Sequence, residues 1–233
     1  MENLYNVSAS SHVRDNSSTR GIMLDVIIAM LPASVFGIYQ FGISALIILV
    51  GTVFACVAAE YLFQRGMKKE QTIGDLSAVV TGMILALNMP PEIPVWIPML
   101  GGVFAIIVVK QLYGGIGFNW MNPALAARCF LLISFAGKMT NFTSKRLGFD
   151  AITGATPLAA LRAARATGNT MTTIKESYSF ADLFIGHIPG TIGEVSVIAL
   201  LIGVAYLLIR RVINLRTPIA YILTVAVFVF VFG

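Results

Sequence analysis

Charge is scarce in this chain. Asp, Glu, Lys and Arg make up 12% of its 233 residues, about half the share of an ordinary soluble domain. Histidine is almost missing: His12 and His187 are the two present, and neither has metal-ligand partners at helical spacing. The two cysteines, Cys56 and Cys129, stand far apart inside apolar runs. They form no CxxC or Cys/His pattern, so the chain alone builds no standard iron–sulfur site, and both read as small buried hydrophobes. No glycine-rich dinucleotide fingerprint follows a strand pattern. The net charge is +5, but the basic residues sit in loops and form no stripe with interleaved aromatics, which argues against a nucleic-acid partner.

What is abundant is apolar: 57% of the residues are hydrophobic. They fall in long runs along the whole chain, the pattern of an all-α polytopic membrane bundle. The polar stretch Met1–Arg20 lacks the apolar region of a secretory signal. Seven apolar segments are expected: Ile22–Tyr39, Gly42–Phe63, Leu76–Met89, Val95–Leu112, Ala124–Ala136, Glu194–Ile209 and Pro218–Phe232. A full crossing takes about 20 helical residues. The third and fifth segments are short for this. Met89-Pro90-Pro91 stops the third, and the fifth follows Gly114-Gly115-Ile116-Gly117 and Asn122-Pro123. Short segments interrupted by glycine and proline predict half-helices buried in protein or lining a cavity.

Arg14 and Arg20 precede the first segment, Arg65, Lys68 and Lys69 follow the second, and Arg210, Arg211 and Arg216 separate the last two. Lys and Arg in short loops mark the cytoplasmic side. The N-terminus is therefore expected in the cytoplasm, and the long polar loop, residues 138–193, outside. An apolar run reaching Gly233 with an odd number of spans is expected of a piece of a longer protein, with residues 1–233 one integral membrane domain.

The external loop holds Thr153-Gly154-Ala155-Thr156-Pro157. Leu158–Ala166 is rich in Ala, Leu and Arg and should be helical. Thr156 then sits at the N-cap with Pro157 at the first helical position. A helix N-terminus stabilises phosphate. Gly154 and Ala155 leave room for one, and Arg162 and Arg165 add charge. The same geometry serves as a plain helix cap or as the attachment point of a phosphate ester.

The pentapeptide resembles the S/T-G-A-T flavinylation motif of the Rnf and Na⁺-NQR redox pumps. Ser10–Pro32, Val79–Pro91 and Lys110–Leu132 likewise resemble the NqrB/RnfD membrane subunits, and the short N-terminal extension is nearer the RnfD branch. The resemblance implies FMN joined by a phosphoester to Thr156. Thr153, Gly154, Ala155, Pro157, Asp150 and Arg162 would surround it, and a second flavin such as riboflavin would be held elsewhere. It implies about ten spans in two related halves and a prokaryotic plasma membrane. It also implies partnership with other Rnf subunits, with electrons exchanged with another flavin or an iron–sulfur subunit. The activity implied is Na⁺ or H⁺ translocation driven by electron flow between ferredoxin and NAD⁺, a redox translocase not catalytic by itself. No acid–base pair is needed, since a flavin supplies the chemistry and the protein positions it.

The rival expectation is a flavin-free channel or secondary transporter with broken helices; a structural scaffold is a third. Asp25 and Lys110 lie near segment ends, where snorkelling to the interface is expected of them, with a role in ion or cofactor handling as the alternative; Glu60 and Glu194 are similarly placed. Asn88, Asn119, Asn122 and Arg128 gather around the two broken segments. They are expected to bond freed backbone groups, or alternatively to contact the second flavin.

Overall fold

The computed structural model describes residues 18–144, 152–153, 162, 180–186 and 188–232. Helix α1 (Thr19–Phe41) starts where the Ser18 hydroxyl accepts the Gly21 N–H at 3.1 Å, satisfying an orphan donor of the first turn. It stops at Gly42, whose φ of +73° suits glycine and whose N–H donates to the Ile38 carbonyl at 2.8 Å. That single residue joins α1 to α2 (Ile43–Gly66). With 23 and 24 residues, each is about 35 Å long at 1.5 Å per residue, enough to cross the hydrocarbon core of a bilayer.

The remaining apolar helices are shorter. A 3₁₀ turn (Ile73–Asp75) leads into α3 (Ser77–Leu87). Helix α4 (Trp96–Phe104) runs without a break into a π-helical segment, Ala105–Gln111. Asn122 caps α5 (Pro123–Ser134) by accepting the Ala124 N–H at 3.0 Å, with Pro123 at its first position. The short α6 (Ala136–Met139) follows, then a two-residue antiparallel ladder of β1 (Thr143–Ser144) with β2 (Ile152–Thr153), in which Thr143 faces Thr153. Helices α7 (Phe180–Ile185), α8 (Val197–Ile209) and α9 (Arg216–Phe232) complete the described chain.

At 11 and 12 residues, α3 and α5 are about 16–18 Å long, roughly half a hydrocarbon thickness. The fifth segment ends at Ser134 rather than Ala136, and the sixth starts at Val197 rather than Glu194. Thr191–Ser196 instead enters as irregular backbone. The Ile192 and Gly193 N–H groups donate to the carbonyls of Met89 (3.1 Å) and Leu87 (2.8 Å). These bonds satisfy carbonyls freed where α3 stops, as buried broken backbone requires.

Helix α8 runs antiparallel along α1. Gly37 meets Ile192, Ala29 meets Gly203, and Asp25 meets Arg210. Cβ atoms added at Gly37 and Gly203 would strike the Ile192 and Ala29 carbonyl oxygens, so these small residues set the close approach of the backbones. The buried core joins α2, α3, α4 and α5 through Ile48, Leu85, Ala86, Ile97, Ala127 and Leu131. Large apolar side chains also cover the outside, with Phe54 at 67% and Phe230 at 91% exposure. No residue of α9 is buried among the described residues. An apolar exterior of this extent is a surface for lipid or protein rather than water.

Candidate functional site

The most unusual chemistry lies where α2, α3 and the π-helical segment meet. Lys110 Nζ donates to Glu60 Oε1 at 2.7 Å, and both side chains are excluded from solvent. Neither is an interfacial charge. The expectation that Lys110 snorkels is overturned, because its stem leads inward to a carboxylate on the neighbouring helix. The same Glu60 oxygen accepts from Gln111 Nε2 at 2.7 Å, and from Gln64 Nε2 and Thr72 Oγ1 at 3.3 Å each. Lys110 also donates to the Ser77 hydroxyl, which donates to Asp75 Oδ1 at 2.6 Å. The network thus runs from a buried pair to Thr72 and Asp75 at the loop before α3. Glu60 Oε2 is buried without a hydrogen-bond partner among the described residues. Isolated charges at this depth are costly, and several kcal/mol of desolvation are offset only by close pairing and added hydrogen bonds. π-Helical turns are rare and concentrate at functional sites. This one carries Lys110 and Gln111 to Glu60.

On its other side the π-helical segment walls an apolar cavity of about 480 Å³, within the usual size range of small-molecule sites. Phe104, Val108, Val109, Tyr113, Trp120 and Asn122 line it. Phe104 stacks on Phe130 with ring centroids 4.3 Å apart, and Tyr113 lies 6.4 Å from Trp120. Asn119, next to Trp120, has a buried Oδ1 with no partner among the described residues. Asn119 is not among the residues lining the cavity, whose one carboxamide is the capping Asn122; the aromatic and aliphatic walls suit a flat apolar ring.

Of the asparagine and arginine group, three members act on the broken segments. Asn88 Nδ2 donates to the Ile84 carbonyl at 2.8 Å, and Asn88 Oδ1 accepts from Arg128 at 2.5 Å. Arg128 also reaches Glu194 at 3.4 Å, so one guanidinium ties α5 to the end of α3 and to the segment entering α8. Asn122 caps α5.

Asp25 overturns a second expectation. It is 7% exposed and accepts from Tyr206 at 2.9 Å and from Arg210 Nε at 3.1 Å. Asp25 therefore clamps α1 to α8 instead of reaching for the interface. Asp25→Ala is expected to lower the thermal unfolding temperature by several degrees, measured on the purified chain in detergent. The exchanged pair Asp25→Arg with Arg210→Asp should regain part of that loss.

Among the residues expected around a loop flavin, the backbone of Thr153 is held by the β1–β2 ladder, and Arg162 is exposed and helical. Asp150, Gly154, Ala155, Thr156 and Pro157 lie outside the described residues. Sequence reasoning missed the Glu60–Lys110 pair and the Asp25–Arg210 clamp. For the first, opposite charges near the matching ends of the second and fourth segments were the available signal.

The profile of the NQR2, RnfD, RnfE family matches residues 6–233. Among curated relatives, the chain is 47% identical over 229 residues to the D subunit of the Na(+)-translocating ferredoxin:NAD(+) oxidoreductase complex of Acetobacterium woodii, covering 97% of this chain and 69% of that protein. It is 36% identical over 233 residues to the D subunit of the proton-translocating ferredoxin:NAD(+) oxidoreductase complex of Clostridium ljungdahlii, covering 100% and 70%. It is also 36% identical over 248 residues to the D subunit of the ion-translocating oxidoreductase complex of Halorhodospira halophila, covering 96% and 70%. With a match over nearly its whole length and broken apolar helices arranged around a buried charge pair, the chain belongs to the NQR2, RnfD, RnfE family of membrane proteins.

Proposed function

We propose that this chain is the D-type membrane component of a prokaryotic ion-translocating ferredoxin:NAD⁺ oxidoreductase complex. In this reading it works beside other Rnf subunits and relays electrons through flavin. The observation that carries the reading is 47% identity over 97% of the chain to a relative with that name. Relatives are named for Na⁺ and for protons, so the reading commits to redox-driven cation movement and not to one cation.

The seven apolar segments cross or enter the membrane, with α3 and α5 as half-helices. Arg65, Lys68, Lys69, Arg210, Arg211 and Arg216 lie in short connections, which supports a cytoplasmic N-terminus and an outer face for residues 138–193. In that loop Thr156 carries FMN through a phosphoester. Gly154 and Ala155 are small, Pro157 is a residue type suited to the first position of a helix, and Thr153, Asp150 and Arg162 lie nearby in sequence. Support comes from TGATP itself and from the physical suitability of a helix start for phosphate. A bound flavin supplies electron transfer. The residues of the chain supply position, charge and exclusion of water.

The aromatic cavity beside the π-helical segment is the seat of a second, non-covalent flavin, of which riboflavin is the simplest. Tyr113, Trp120 and Phe104 of the lining offer faces to its ring, and Asn122 is the one carboxamide there.

The test of the covalent link is a denaturing gel. Chain made together with its flavin-attaching enzyme is expected to fluoresce, and Thr156→Ala is expected to be dark. Fluorescence that survives the substitution, or a dark wild type, removes the attachment and leaves the channel or transporter reading in its place.

A further inference from the structure

We propose that the Lys110 ammonium is a built-in cation: it stands in a site whose oxygen donors would otherwise hold a free monovalent cation, and it keeps such ions off Glu60. The inference needs neither flavin nor the aromatic cavity. It rests on what surrounds Lys110 Nζ. Glu60 Oε1 lies 2.7 Å away, and the Ser77 hydroxyl accepts a second bond from the ammonium. Glu60 Oε2 is buried with no hydrogen-bond partner among the described residues, so the same carboxylate has another acceptor to offer. Oxygens gathered in this way replace the water shell of a small cation.

The donor set is held in place without Lys110. Gln111, Gln64 and Thr72 also donate to Glu60 Oε1, and the Ser77 hydroxyl is fixed by its own bond to Asp75 at 2.6 Å. The site is balanced for one positive charge. Glu60 is excluded from solvent, and charge left unmatched at such a place is costly. Asp75 stands behind Ser77 in a half-buried position, where water shares its charge. The site is also within reach of ions. Thr72, whose hydroxyl is 3.3 Å from Glu60 Oε1, is exposed in the loop before α3. What keeps ions out is the lysine itself. Its ammonium is tethered to the π-helical segment, so it meets Glu60 without the loss of translational freedom that a free ion incurs. A cation arriving at this end of α2 finds the carboxylate already matched.

Lys110→Met is the suitable probe, since it keeps most of the apolar stem and vacates the place of Nζ. The full chain is purified in detergent. Its thermal unfolding is followed as N-methylglucamine is replaced by potassium or by ammonium at constant ionic strength, which holds screening equal. A cation that binds the folded form alone raises the unfolding temperature as its concentration rises. The parent chain is expected to be indifferent to the exchange, Lys110→Met to gain several degrees, and Glu60→Gln with Lys110→Met to be indifferent again. Lys110→Ala gives a second arm. Propylammonium restores the three methylenes and the ammonium that this variant lacks, so the variant should unfold several degrees higher in it than in propanol at equal concentration. This arm carries the test if Lys110→Met does not accumulate. A Lys110→Met chain that ignores both cations overturns the proposal, and so does an equal rise in all three chains, which marks a general salt effect. Equal rescue of Lys110→Ala by propanol and propylammonium overturns it as well, because the site then needs filling and not charge. Failure of Lys110→Ala to accumulate with propylammonium present throughout has the same consequence.

Discussion

Lys110→Met alone is expected to destabilise the chain by about 3–5 kcal/mol, the typical loss when one partner of a buried ion pair is removed. The loss comes from the carboxylate left behind more than from the missing bond. Glu60 has its bonded oxygen anchored by Gln111 and Gln64, and without Lys110 its charge has no counter-ion in a site closed to water. Adding Glu60→Gln to Lys110→Met should recover at least half of the loss, because the charge goes while the amide oxygen still accepts from its neighbours. Denaturant or thermal unfolding of the purified chain in mixed micelles measures both. Equal stability of the single and double variants would show that the pair is not coupled.

Gly203→Leu is expected to detach α8 from α1. A Cβ at this position meets the Ala29 carbonyl oxygen before any further atoms are added, and the leucine must fit where two backbones touch. Overpacking of this kind typically costs about 1–3 kcal/mol. Here it also pulls Tyr206 and Arg210 away from Asp25, which sits one turn below Ala29 on α1. A disulfide between cysteines placed at residues 26 and 207, which both line the small cavity between these helices, should form in the parent chain and fail in Gly203→Leu. Gly203→Ala, with one methyl, should be intermediate. Undiminished cross-linking of the leucine variant would mean that the α1–α8 approach does not depend on this glycine.

The stretch of chain most legible in the sequence is the pair of broken segments. Met89-Pro90-Pro91 and Asn122-Pro123 carry their own stop and start signals. The structure ends α3 at Leu87 and begins α5 at Pro123 accordingly. The grouping of Asn88 with Arg128 was legible for the same reason, since both flank those breaks. The Glu60–Lys110 pair was not. Its members are 50 residues apart, and whether Lys110 faces lipid or Glu60 depends on the register of a π-helical turn that no local residue preference announces. The Asp25–Arg210 clamp spans 185 residues and exists only because α8 lies against α1. A charge near the end of an apolar run has two outlets, the interface or a partner, and only tertiary packing selects between them. Thr156 is the opposite case, where a short motif speaks through chemistry that needs no tertiary contact to be proposed.

The placement of the cofactor on this chain is tested most directly by intact-protein mass spectrometry of native material, with peptide mapping of residues 148–167. The account predicts one added FMN, less the water lost on forming the ester, located on Thr156. A polypeptide of unmodified mass from actively respiring cells would contradict it.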